Sequence, residues 1–269
     1  MNFINLPKKS LGQNFLVDKN IMNKIVQLGN INEDKTVLEI GPGYGNLTEV
    51  IAEKKPKKII AVEKDKRLAF YLKKKFKTFK NIKIINNDIL KIINTNKFGE
   101  NLVVIGNLPY NISTQIIASF IINQKWPPWY NILILMFQKE VADRIIAKEK
   151  SKNFSRLSVL CNWRLDIKKH FNVSQNSFLP VPKINSTVLS FKPKINYDFD
   201  IKNSKNLETI TRILFSNRRK MINKNFIKLF DQNKNIAKDL NLNLSLRPEE
   251  LSFEMFYKIA MKYEQTKNK

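Results

Sequence analysis

The stretch that most constrains this chain is Thr36-Val37-Leu38-Glu39-Ile40 running into Gly41-Pro42-Gly43-Tyr44-Gly45. An extended, largely apolar run ends on three glycines at alternate positions, and Leu47 to Lys55 then reads as a helix. Glycines at such places let the backbone turn tightly and approach a ligand without Cβ interference. A strand, glycine turn and helix in this order point to an α/β sheet, whose ligand crevice lies at the carboxyl ends of the strands. The spacing is G-x-G-x-G, not the G-x-G-x-x-G of a pyrophosphate-binding dinucleotide fold.

The next strand ends carry acids. Lys58 to Val62 reads as a strand that ends in Glu63, about 20 residues beyond the glycine loop, where nucleoside-binding folds place a carboxylate for ribose hydroxyls. Ile82 to Ile85 ends near Asn87-Asp88-Ile89, where a carboxylate can accept from an adenine amino group. Glycine loop, ribose acid and base-reading acid on three successive strand ends fit an adenosine ligand without calling for phosphates. S-adenosylmethionine has that outline. A fourth apolar run, Asn101 to Gly106, leads into Asn107-Leu108-Pro109-Tyr110 ahead of a helical segment from Ile112 to Asn123. As backbone these are ordinary turn residues, but their place puts them in the same crevice.

Further strands are expected at Asn131 to Phe137, Leu157 to Asn162, Phe171 to Val173 and Thr187 to Phe191, with a helix at Lys139 to Lys148. This makes about seven strands in a parallel sheet ending in an antiparallel hairpin. From Asn196 charged, Asn-rich helical stretches take over, at Asn206 to Phe215, Met221 to Phe230 and Ser252 to Tyr263. The division expected is 1–195 and 196–269. Ser216-Asn217-Arg218-Arg219-Lys220 lies between two of these helices and reads as a contact for an RNA backbone.

Charge and scarcity narrow the chemistry. The net charge is +25, from 48 Lys and Arg against 23 Asp and Glu, which favours a polyanionic partner, nucleic acid ahead of membrane. Part of the Lys excess accompanies a general richness in Lys, Asn and Ile and is compositional. One Cys and one His exclude an intramolecular disulfide and a Cys/His zinc site of the usual four-ligand kind. Cys161 is expected to be inert in a buried strand, and His170, beside Lys168 and Lys169, to face the surface or RNA. No apolar run of about 18 residues marks a membrane span, no signal-peptide core opens the chain, and the cytoplasm is the expected compartment. The N-terminal Lys8-Lys9-Ser10-Leu11-Gly12-Gln13-Asn14-Phe15-Leu16 reads equally as a clamp over a ligand or as a tail ending in a helix cap at Asp18.

Leu11-Gly12-Gln13-Asn14-Phe15-Leu16, Glu39-Ile40-Gly41-Pro42-Gly43, Asn107-Leu108-Pro109-Tyr110 and Phe178-Leu179-Pro180-Val181-Pro182-Lys183 resemble the successive motifs of the ribosomal RNA adenine dimethyltransferases. The resemblance runs end to end, through Leu246-Arg247-Pro248-Glu249-Glu250-Leu251-Ser252, and is nearest to the bacterial 16S, kasugamycin-sensitivity branch. It implies a seven-stranded, Rossmann-like class I methyltransferase domain with a small C-terminal helical domain that binds RNA. The implied reaction is transfer of two methyl groups from S-adenosylmethionine, without a metal, to N6 of each of two adjacent adenines near the 3′ end of 16S rRNA. The implied setting is a monomer acting on the assembling pre-30S particle.

Carried over by the same resemblance, Asn14, Leu16, Gly41, Glu63, Asp88 and Asn107 hold the cofactor, which makes the N-terminal segment a clamp. Asn107 and the Leu108 carbonyl accept the hydrogens of the target amine, Pro109 stiffens the turn, and Tyr110 and Phe178 stack on the flipped base. Arg218, Arg219 and Lys220 contact RNA. Two alternatives stand beside this reading. The macrolide-resistance enzymes act on 23S rRNA, but typically carry Asn-Ile-Pro-Tyr where this chain has Leu108. A non-catalytic ribosome-assembly factor would keep the fold and the basic surface without needing the intact acid and tetrapeptide set.

Overall fold

The computed structural model describes residues 11–95, 98–123, 125–195, 199–233 and 235–267. Lys8, Lys9 and Ser10 of the basic N-terminal segment lie outside the described residues, as do residues 196–198 at the expected domain boundary. The strands are β1 (Phe15–Leu16), β2 (Thr36–Ile40), β3 (Lys58–Glu63), β4 (Ile82–Asn86), β5 (Leu102–Asn107), β6 (Tyr130–Gln138), β7 (Leu165–Val173), β8 (Phe178–Leu179) and β9 (Ser186–Pro193). The helices are α1 (Lys19–Gln27), α2 (Asn46–Ala52), α3 (Lys66–Lys75), α4 (Ile89–Ile92), α5 (Ser113–Ile122), α6 (Lys139–Ile145), α7 (Arg156–Arg164), α8 (Ser204–Leu214), α9 (Asn223–Leu229), α10 (Asn235–Asp239) and α11 (Phe253–Lys267).

Two compact units divide the chain. The first takes in Met1–Phe120, Gln124–Ala142 and Ile167–Pro193. Its seven-stranded sheet has the order β4-β3-β2-β5-β6-β9-β7. The strands from β4 to β6 run parallel, and β9 pairs antiparallel with β6. The inner strands are continuous apolar runs because both sheet faces are covered: Val37, Leu38, Ile59, Ala61, Leu102, Val104 and Ile105 are all fully buried. The chain leaves β2 for β3 and β4 on one side, then crosses to β5 on the other. The crevice between β2 and β5 is therefore the topological switch point of the sheet. A separate two-residue ladder pairs β1 with β8, Phe15 opposite Leu179 and Leu16 opposite Phe178. Asp18 does cap a helix, accepting from the Asn20 and Ile21 amides at the start of α1.

The second unit takes in Ile121–Asn123, Asp143–Asp166 and Lys194–Lys269. Its core is aromatic: Phe154 lies 5.1 Å from Phe253 and 6.3 Å from Phe256, and Phe215 stacks on Phe256 at 5.4 Å. The Tyr257 hydroxyl donates to the Val159 carbonyl at 3.2 Å, tying α11 to α7. This is why residues 143–166 fall with the C-terminal helices, although the sequence reading put them before the boundary.

Two expectations are corrected, one strand and one helix. Leu157 to Asn162 is not a strand but the middle of α7, where Ser155 and Ser158 form a reciprocal capping box. A short apolar run buried on all sides carries no period to separate strand from helix, and β7 supplies the strand instead. Cys161 is buried on that helix, and burial pushes its thiol well above the ordinary range. His170 is half-buried on β7 with Nε2 2.8 Å from the Ser190 hydroxyl, and burial, aided by Lys168, lowers its pKa. The expected helix at Met221 to Phe230 is shorter, and α10 was not foreseen.

Candidate active site

The carboxyl ends of β2, β3, β4 and β5 open into one cleft that gives onto solvent. Asn14, Leu16, Gly41, Glu63, Asp88, Asn107, Leu108, Pro109 and Tyr110 all line it. The structure thus brings together nine residues that the sequence scatters over some hundred positions. Among the described residues, no group of three or more His, Cys, Asp or Glu side chains is arranged to hold a metal ion.

The glycine loop shapes one wall. Gly41 has φ +67°, a left-handed conformation that side chains rarely adopt. Gly43 has φ +59°, and a Cβ there would come within 2.6 Å of the Phe15 ring. That close approach seats β1 over the loop. Tyr44 packs against Phe15 with ring centroids 4.5 Å apart, and Asn46 donates to the Leu16 carbonyl at 3.0 Å. The N-terminal segment is thereby a wall of the cleft.

Glu63 is only 6% exposed. Its carboxylate accepts from the Gly43 amide at 3.1 Å and the Asp65 amide at 2.8 Å, so it fixes the loop after β2 against the turn after β3. Burial raises its pKa, and these amides pull against that rise. Asp88 caps α4 through the Leu90 amide at 3.0 Å and pairs with Lys64 at 2.8 Å. Its burial favours the neutral acid, but Lys64, the Leu90 amide and Lys91 together outweigh it and hold the pKa below the usual carboxylate value.

Asn107, the last residue of β5, donates from Nδ2 to the Asn14 carbonyl at 2.8 Å. Only the amide nitrogen can donate, so the bond fixes the orientation of the side chain and leaves Oδ1 as its acceptor. The Tyr110 hydroxyl lies 2.7 Å from the Ser186 hydroxyl on β9, and burial raises the phenol's pKa. Leu108 is buried and anchors the tetrapeptide from below.

Phe178 is not brought to the cleft. It does not line it, is 1% exposed, and packs in the sheet-face core with Leu16, Ile25 and Val173. Its neighbour Leu179, at 63%, is the exposed residue of β8. Arg218, Arg219 and Lys220 belong to the helical unit. Arg218 Nε binds Glu249 at 2.7 Å and its Nη2 binds the Lys152 carbonyl, while Arg219 and Lys220 are exposed.

Two site residues were missed. Glu39, on β2, is 1% exposed and lines the cleft. The Thr48 hydroxyl donates to its Oε2 at 2.6 Å, but Oε1 is buried without a hydrogen-bond partner. Burial, resisted by the Thr48 bond and reinforced by Glu63, raises its pKa to about 7. The available signal was a carboxylate inside an otherwise apolar strand. Ser186 is the other, and nothing in the sequence connects it with Tyr110.

Comparison with known proteins bears on the same site. The family model described as ribosomal RNA adenine dimethylase matches residues 4–265. A protein of Pelagibacter ubique named ribosomal RNA small subunit methyltransferase A is 51% identical over 257 residues, covering 96% of this chain and 97% of its own. A Wolbachia protein of the same name is 38% identical, covering 96% and 94%. The crystal structure of a dimethyladenosine transferase from Plasmodium falciparum matches with TM-score 0.77 and 27% identity, covering 94% of this chain and 98% of that one. The 23S rRNA methyltransferase ErmE matches in fold alone, with TM-score 0.65 and 21% identity over 94% and 100% of the two chains. Its match over nearly its whole length, together with these relatives, places the chain in the ribosomal RNA adenine dimethylase family.

Proposed function

We propose that the chain dimethylates N6 of two adjacent adenines near the 3′ end of 16S rRNA, acting as a monomer on the assembling pre-30S particle. The observation that carries this reading is the Asn107 side chain, oriented by the Asn14 carbonyl so that its own oxygen is the acceptor.

The residues of the cleft fit S-adenosylmethionine. The buried, unpartnered Glu39 Oε1 calls for a donor, and an amino-acid ammonium is one. Glu63 and Asp88 retain acceptor capacity beyond the amides and the Lys64 ammonium they already hold, for ribose hydroxyls and an adenine amine respectively. When bound, the cofactor supplies an already activated sulfonium methyl.

The chain then has two tasks. An exocyclic adenine amine is a poor nucleophile because its lone pair is delocalised into the ring. The Asn107 oxygen and the Leu108 carbonyl accept its hydrogens, which favours a tetrahedral nitrogen with its lone pair directed to the methyl. Tyr110 stacks on the base, held in place by Ser186. No strong base is needed, because the methylated nitrogen loses its proton after transfer. Phe178 supports this arrangement from beneath, by packing under β1 and so holding the Asn14 carbonyl against Asn107. In the helical unit, Arg219 and Lys220 contact phosphates, while Arg218 is engaged by Glu249.

Incubation with labelled S-adenosylmethionine and unmethylated 30S or 50S particles tests the reading. Label on two adjacent 16S adenines supports it. Label on 23S rRNA replaces it with the resistance-type activity, and no label with a non-catalytic role.

A further inference from the structure

One helix of the methyltransferase unit carries a surface that neither its core nor the cleft explains. Between Lys66 and Lys80 the sequence has seven basic residues and no acidic one. The buried side of α3 and the residue after it is ordinary: Leu68, Ala69, Leu72 and Phe76 pack inward. The exposed side is not, because Phe70 on the helix is 60% exposed and Phe79 in the turn that follows is 45% exposed, among these cations. Lys66, Phe70, Lys73 and Lys74 follow one another at helical spacing along a single stripe.

The neighbours separate structural cations from available ones. Arg67 is committed to Asp65, at 2.7 Å. Lys75 is committed to Glu49 at 3.0 Å and to the Tyr44 carbonyl at 2.9 Å. Lys66, Lys73, Lys74, Lys77 and Lys80 make no ion pair among the described residues, and all five are exposed. Lys74 Nζ stands 4.6 Å from the centroid of the Phe70 ring, over one of its faces, and Phe76 braces Phe79 edge-on at 5.7 Å. The surface is joined to the cleft: Tyr71 meets Tyr44 edge-on at 6.1 Å, and Tyr44 lines the cleft.

Exposed rings interleaved with unpaired cations are how proteins hold single-stranded nucleic acid, stacking on bases while the charges follow the backbone. We propose that the outer face of α3 and the turn that follows it form a platform for single-stranded RNA flanking the target, with Phe70 and Phe79 stacking on bases and Lys66, Lys73, Lys74, Lys77 and Lys80 contacting phosphates. The proposal rests on the family reading for the nature of the nucleic acid, and on the α3 surface alone for its place.

Its test is the anisotropy of a fluorescein-labelled, mixed-sequence single-stranded RNA titrated with the full chain across a salt series. A K73Q/K74Q/K77Q variant lowers the log-log salt slope by roughly 2, since each single-strand phosphate contact contributes about 0.7. An F70S/F79S variant weakens binding roughly tenfold or more and leaves the slope unchanged. Both keep the wild-type affinity for S-adenosylmethionine, because none of the substituted residues lines the cleft. Unchanged affinity and slope in both variants overturn the proposal. Wild-type RNA binding accompanied by lost binding to phosphatidylglycerol vesicles overturns it in favour of a membrane surface. If the wild type methylates no ribosomal particle yet the variants show the RNA effects, the dimethylase reading falls and the α3 platform stands.

Discussion

Asn107 donates from Nδ2 to the main-chain oxygen of Asn14 at 2.8 Å, joining the end of a buried central strand to the N-terminal segment. The bond does two things at once. It closes one side of the cleft, and it decides which atom of the amide is left to accept from a substrate.

Asn107→Ala removes both effects. Methyl transfer to 30S particles is expected to fall by about 100-fold or more, the scale of losing one group that stabilises a transition state. Affinity for S-adenosylmethionine, followed by calorimetry, is expected to fall by less than about tenfold because Glu63 and Asp88 remain. Turnover close to wild type would remove Asn107 from the mechanism.

Tyr110→Phe and Tyr110→Ala separate the ring from its hydroxyl. The first loses only the 2.7 Å contact with Ser186, a neutral hydrogen bond of about 1 kcal/mol. The second also loses base stacking of roughly 1 to 3 kcal/mol. Single-turnover rates are expected to order as wild type, then Phe, then Ala, and equal losses in the two variants argue against stacking.

Phe178→Ala is expected to act on stability first. The ring is 1% exposed within the core, and truncating such a residue costs about 3 to 5 kcal/mol. Urea unfolding measures this directly. A variant with wild-type stability and abolished methyl transfer would instead place the ring on the substrate.

Glu39 contributes a pH dependence opposite in sign to that of Asp65 and Asp88, whose pKa values are lowered. Its folded pKa is raised from 4.5 to about 7, so the folded state holds the proton longer than the unfolded state does. The contribution of Glu39 to stability is therefore greatest below about 4.5 and is lost as pH rises through about 7, by up to about 3 kcal/mol. Glu39→Gln is expected to flatten that decline in thermal melts from pH 4.5 to 8 and to weaken S-adenosylmethionine binding at pH 8. Parallel curves for the two proteins would show that Glu39 ionises freely when folded.

What could be read from the sequence was local. Apolar runs fully covered by helices announce β2, β3 and β5, and glycines or acids at their ends mark the cleft, because strand end and ligand contact are adjacent in the chain. Partnerships between distant residues were not legible. Phe178 looks like a stacking residue until its place opposite Leu16 buries it. Arg218 looks like Arg219 until Glu249, from a turn thirty-one positions later, engages it. The Leu157 to Cys161 run failed for another reason, since burial on every side erases the periodicity that distinguishes a helix.

The β1–β8 ladder has a consequence in time. Two paired residues on each strand are too few to persist alone; the Val17 amide bonding to the Ser177 carbonyl and the Ser177 hydroxyl bonding to Asp18 extend the junction. One partner precedes every strand of the seven-stranded sheet in the chain, and the other follows six of them. The wall that orients Asn107 is therefore among the last parts of this unit to be assembled, so a nascent chain that already has its glycine loop still lacks a finished methylation site.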